Sequence, residues 1–190
     1  MAALRRQRVT DTDAFAEFAH DLRGAMGSLR LVVSSLLDDD DPDHRGALLK
    51  LADEEVQRVA VTAGALTALG ASAGDRSTPV PVDLDGAVTD AVAACTRYGV
   101  RVTVPTTVAG RVLARPAVLA HALPAVFQLA SGTLGATDVT VEAVDDGVAV
   151  ACSCGAMWPQ ARHLFARLVD AAGGRVVAGD GLRFVLPGVP

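Results

Sequence analysis

Apolar residues recur every three or four positions through the first seventy residues, and a single acidic, proline-containing break divides them. Phe15, Phe18, Leu22, Met26, Leu29, Val33 and Leu36 form one stripe at helical spacing, which predicts a helix from about Asp11 to Leu37. Thr10 and Asp11 are its candidate N-caps, because their side-chain oxygens can accept from first-turn amides. The run Asp38-Asp39-Asp40-Asp41-Pro42-Asp43 ends the pattern as a solvated hairpin tip. Asp41 as N-cap and Pro42 at the first helical position then start a second helix, expected from His44 to Leu69. Its apolar face is Leu48, Leu49, Leu51, Val56, Val59, Ala63 and Leu66, and Gly70 is the expected stop. Two such helices have too little core to stand alone. Pairing with a second copy, as a homodimeric four-helix bundle, is the packing they call for.

Residues 73–82 read as a linker, which gives a helical hairpin at 1–72 and a second domain at 83–190. Helical patterns run from Leu84 to Tyr98, Pro116 to Ala130 and Gln160 to Ala172. Strand patterns cover Val100–Val104, Val139–Val144, Val148–Cys152, Arg175–Ala178 and Leu182–Leu186. Asp145-Asp146-Gly147 and Gly179-Asp180-Gly181 mark hairpin turns. The expected class is α+β: an antiparallel helical hairpin followed by an α/β sandwich with helices on one face of a mixed sheet.

Composition excludes several functions. A net charge of −5 and only 4% aromatic residues disfavour a nucleic-acid partner, which requires clustered cations or stacking faces. No apolar run approaches the ~18 residues of a membrane span, and the basic opening Leu4-Arg5-Arg6-Gln7-Arg8 reads as a flexible or helix-leading segment. Three cysteines fit a reducing compartment, so a soluble cytoplasmic protein is expected. Cys152 and Cys154 alternate on a strand and are expected in the core, since two thiols without further ligands make a poor zinc site. His44, His121 and His163 share no spacing and are expected to be structural or surface residues; Trp158 is expected to pack at a domain edge.

His20 is the candidate for chemistry. It lies off the apolar stripe, and a neutral imidazole is a competent nucleophile toward phosphorus near neutral pH. Asp21, or Glu17 one turn earlier, could hold the other ring N–H and fix the tautomer. Periodicity alone favours a surface histidine; the residues around it change that weighting.

The segment Phe18-Ala19-His20-Asp21-Leu22-Arg23-Gly24 resembles the H-box of histidine kinase dimerisation domains. It departs where those kinases carry Thr or Asn (Gly24 here) and Pro (Ala25 here), which argues against phosphatase action. The His-Asp-Leu core followed by Gly24-Ala25-Met26-Gly27-Ser28-Leu29 is more similar to ChpT-type histidine phosphotransferases. That resemblance implies a dimerising hairpin followed by a kinase-like ATPase domain that no longer binds nucleotide. Leu123–Ala130 resembles the N-box helix, with Leu129 in place of the magnesium-holding asparagine. Ala151-Cys152-Ser153-Cys154-Gly155-Ala156 stands where an adenine-binding aspartate would lie, and holds none. The implied function is phosphoryl relay between receiver-domain aspartates through His20 and Asp21. No cofactor is expected on this chain, and magnesium would come from the receiver. Arg23, Gly24, Gly27, Ser28 and Leu31 are the expected receiver-docking residues. The rival reading is a dimeric adaptor that carries no phosphate; a third is an active kinase with an unusual nucleotide site.

Overall fold

A computed structural model describes residues 2–38, 41–105, 110–132, 136–154, 159–178 and 182–189, with side chains for all of these except 2–18, 21, 159 and 160. The chain divides into two compact units, Met1–Leu66 and Thr67–Pro190. The first consists of helix α1 (Ala2–Asp38) and most of helix α2 (Pro42–Gly74).

Helix α1 begins well before Thr10 and Asp11, which lie in its interior rather than at its cap. The opening Ala, Leu, Arg and Gln residues are strong helix formers, and they carry the helix back to Ala2. At the tip the expected start holds. The Asp43 N–H donates to Asp41 Oδ1 at 3.0 Å, so Asp41 caps α2 with Pro42 at its first position. Arg45 reaches back across the turn and donates to the Leu36 carbonyl at 2.8 Å, satisfying one of the carbonyls left open at the end of α1. Asp39 and Asp40 lie outside the described residues.

Within this chain the hairpin leaves much apolar surface uncovered. Ala25, Leu48 and Val61 are buried, whereas Met26, Val33 and Leu37 on α1 and Leu49, Leu51 and Val56 on α2 are exposed. Among the described residues no helix is long and apolar enough to cross a membrane.

The second unit contains β1 (Val80–Asp83), α3 (Leu84–Arg97), β2 (Arg101–Thr103), β3 (Arg111–Ala114), α4 (Pro116–Ser131), β4 (Ala136–Val144), β5 (Gly147–Cys152), α5 (Pro159–Ala171), β6 (Arg175–Val177) and β7 (Leu182–Pro187). Five strands form a mixed sheet in the order β2-β4-β5-β7-β6, parallel between β2 and β4 and antiparallel elsewhere. Period-two alternation puts Val139, Val141, Val148, Val150, Cys152, Leu182, Phe184 and Leu186 on one buried face. Helices α3, α4 and α5 pack on it, and Phe165 meets Phe184 edge-on with ring centroids 5.9 Å apart. Helix α4 is apolar nearly all round, as a helix enclosed by its neighbours must be. The α+β class expected from the sequence is the class observed.

Two strands escaped the sequence reading. β1 pairs antiparallel with β3, Val80 opposite Ala114 and Asp83 opposite Arg111. The presumed linker therefore holds a strand, and α2 runs through Gly70 to Gly74 instead of stopping. The C-terminal segment ties this ribbon to the main sheet: Gly188 bridges to Val112, and the Val189 N–H donates to the Arg111 carbonyl. The turn Gly179-Asp180-Gly181 and Trp158 lie outside the described residues, although β6 and β7 do pair as the hairpin expected around that turn.

Candidate functional site

At 3.6 residues per turn, His20, Gly24, Gly27 and Leu31 fall within an arc of about 60° on α1. The structure exposes all four, Leu31 by 71%. The buried Ala25 marks the opposite, inward side of the helix. Arg23 is exposed at one margin of the arc, and Ser28 is half-buried at the other. A β-carbon built on Gly24 or Gly27 meets nothing within 4 Å. Two successive turns beside the imidazole thus present bare backbone, followed by an apolar knob at Leu31. Ser34 continues the same exposed face one turn further; the helical period that joined the other four would have found it. The side chains of Asp21 and Glu17 lie outside the described residues, so their relation to the His20 ring stays a sequence-based expectation.

Two positions singled out by the sequence resemblance, Leu129 and Ser153, lie in the second unit. Leu129 is fully buried in α4. At the end of β5, Ser153 is stitched to β4 through three bonds. Its carbonyl accepts from Thr137 Oγ1 at 2.6 Å, its hydroxyl oxygen accepts from the Asp138 N–H at 2.7 Å, and its own N–H donates to the Asp138 carbonyl at 2.8 Å. Leu129 is thus a core residue, and Ser153 is committed to the neighbouring strand.

Cys152 is buried as expected, and burial foremost, with the neighbouring Cys154 and Cys95 sulfurs adding to it, pushes its thiol up to about 12. Burial likewise pushes Cys95 up to about 11, and its thiol donates to the Pro124 carbonyl. Both behave as small core residues. Cys154 corrects the expectation: it lies beyond the last paired residue of β5 and is exposed. His44, His121 and His163 are all exposed.

A group the sequence reading passed over lies where α2 ends. Asp75 Oδ1 accepts from the Ser77 N–H at 2.7 Å, closing a local turn. This bond, then the Ser77 hydroxyl, then the Arg115 charge hold the Asp75 carboxyl below the usual carboxylate range, against some desolvation. A lowered folded-state pKa stabilises the fold above the ordinary carboxylate value, and that contribution is lost as pH falls through the folded value. Asp75→Asn is accordingly expected to flatten the fall in melting temperature below about pH 4. A melting series showing the same acid fall in both proteins would contradict this.

No protein-family model matches the sequence, and no curated protein matches it significantly. Solved structures do match in shape. The histidine kinase ThkA, crystallised in complex with response regulator protein TrrA, matches 98% of this chain at 15% identity and a TM-score of 0.56; this chain spans 64% of that one. The ATP-binding domain of PrrB from Mycobacterium tuberculosis matches 60% of this chain and all of its own length, at 20% identity and a TM-score of 0.48. A bacterial phosphotransferase matches 89% of this chain and 91% of its own, at 13% identity and a TM-score of 0.41. Identities this low establish fold alone, and the ThkA match establishes it: helices followed by a mixed sheet, in the manner of a histidine kinase.

Proposed function

We propose that this chain is a histidine phosphotransferase of the ChpT type, relaying a phosphoryl group between receiver-domain aspartates through His20. The observation that carries the reading is the exposed α1 face, where the imidazole stands beside two turns of bare backbone and an exposed leucine. A receiver helix can approach such a surface closely enough to bring its phosphorylated aspartate in line with the ring. Arg23 and Ser28 border the contact, and Asp21 orients the imidazole. Receivers bring their own aspartate, magnesium and lysine, so the relay needs no metal or nucleotide on this chain. The buried Leu129 and the committed Ser153 support a second domain that has given up ATP.

The relay acts as a cytoplasmic homodimer in this proposal. Met26, Val33 and Leu37 on α1, with Leu49 and Val56 on α2, form the apolar surface that a second hairpin would cover to complete a four-helix bundle. The first unit, Met1–Leu66, is the dimerisation and transfer module, and Thr67–Pro190 the scaffold.

The test is transfer. Incubated with a phosphorylated receiver, the protein is expected to acquire label at His20; a purely adaptor role would show receiver binding with no label. Docking is tested separately through Gly24. Its empty surroundings mean that Gly24→Trp projects into solvent and leaves the hairpin intact. The variant should bind receiver at least about tenfold more weakly, ~1.4 kcal/mol, with a melting temperature no lower than that of the native protein. Unaltered affinity by calorimetry would remove this face as the docking surface.

A further inference from the structure

Neither α2 nor α5 carries a basic residue in its last turn, so neither supplies a cation to its own negative end. A residue distant from both in sequence does so. Arg115, at the N-cap position of α4, donates through one guanidinium nitrogen to the Asp75 carbonyl at 2.8 Å, immediately beyond α2. Its other terminal nitrogen donates to the carbonyl of Ala171, the last residue of α5, at 3.0 Å, and reaches the Ser72 hydroxyl at 3.4 Å. The guanidinium fork suits this task, because one planar group can serve several acceptors in fixed directions. Its charge also opposes two helix dipoles at once. Asp75, held by Ser77 and by the field of Arg115, completes the arrangement from the other side.

We propose that Arg115 is a shared clasp on the ends of α2 and α5 that makes Ser72–Ser77 a rigid part of the second unit. The Gly-, Ser- and Pro-containing segment is then not the flexible joint its composition announces. This holds whether or not His20 carries phosphate.

Hydrogen exchange on the full chain tests it. In the native protein the Ser77 amide and those of 72–75 are expected to be protected. Arg115→Met should speed their exchange at least about tenfold, with β5 and β7 amides unchanged, as a local opening requires. If that variant loses β5 and β7 protection as well, Arg115→Lys decides: a single ammonium cannot span three acceptors, and a several-fold rise confined to 72–77 is expected. Exchange at 72–77 that is unprotected in the native protein, or unchanged in Arg115→Lys, overturns the clasp.

Discussion

His20→Ala is expected to lower phosphoryl acceptance from a receiver at least about a thousandfold, because it removes the nucleophile and with it the covalent step. In the forward step an imidazole nitrogen attacks phosphorus, the P–N bond forms, and the P–O bond to the aspartate carboxyl breaks. The carboxylate leaves with the electron pair, and the ring releases its proton to solvent. The product has a chemical signature that separates it from its source. A phosphoramidate is lost in acid, where the ring nitrogen is protonated and becomes a good leaving group, and it survives alkali. An aspartyl phosphate is an acyl phosphate and is hydrolysed in alkali. Label on the wild-type chain should therefore be alkali-stable and acid-labile, and should be missing from the variant. The exposed position of His20 on α1 means the substitution removes no core packing, so the variant should remain folded. Label that persists on His20→Ala, or that is lost in alkali, would place the phosphate on another residue. Receiver binding without label in either protein would support the adaptor.

His20 stands out in the sequence through local order, above all through its neighbours' resemblance to an H-box, and the structure places it on an exposed helix face. Local order likewise marks α3, α4, α5 and the β4–β5 hairpin, whose hydrophobic periods are contained within single elements. What escaped depends on distant partners. β1 and β3 are four residues each, and neither has an amphipathic pattern long enough to register. They become strands because each supplies the other's hydrogen bonds across about thirty intervening residues. Helix α2 runs past Gly70 for a related reason. Its last turn is held by Arg115, more than forty residues on, and that tertiary contact outweighs a propensity of about 1 kcal/mol. The early start of α1 has a different cause: the residues before Thr10 are good helix formers, and they carry the helix past a plausible cap.

Gly147 shows how a correct local reading can miss the stronger constraint. Its sequence setting, Asp145-Asp146-Gly147, marks a turn, and β4 and β5 do form a hairpin there, Val144 opposite Gly147. The need for glycine comes from elsewhere. On its other side β5 pairs with β7, Gly147 opposite Pro187, and the chain continues through Gly188 toward β3. A β-carbon at 147 would lie far inside van der Waals distance of the Leu186 carbonyl oxygen and 2.8 Å from the Gly188 nitrogen. Both are backbone atoms, fixed by strand pairing, and cannot swing aside as a side chain could. Gly147→Ala must therefore part β5 from β7 at the point where the two-stranded ribbon joins the main sheet. A loss of roughly 3 kcal/mol or more in unfolding free energy is expected, at the upper end of ordinary single substitutions. Gly24→Ala is the control, since its β-carbon enters open space in a helix, and a gain of up to about 1 kcal/mol is expected there. Urea unfolding of the two variants checks both values. If Gly147→Ala unfolded at the wild-type midpoint, the close crossing of β5 by the C-terminal segment would be refuted, and with it the attachment of the β1–β3 ribbon to the sheet.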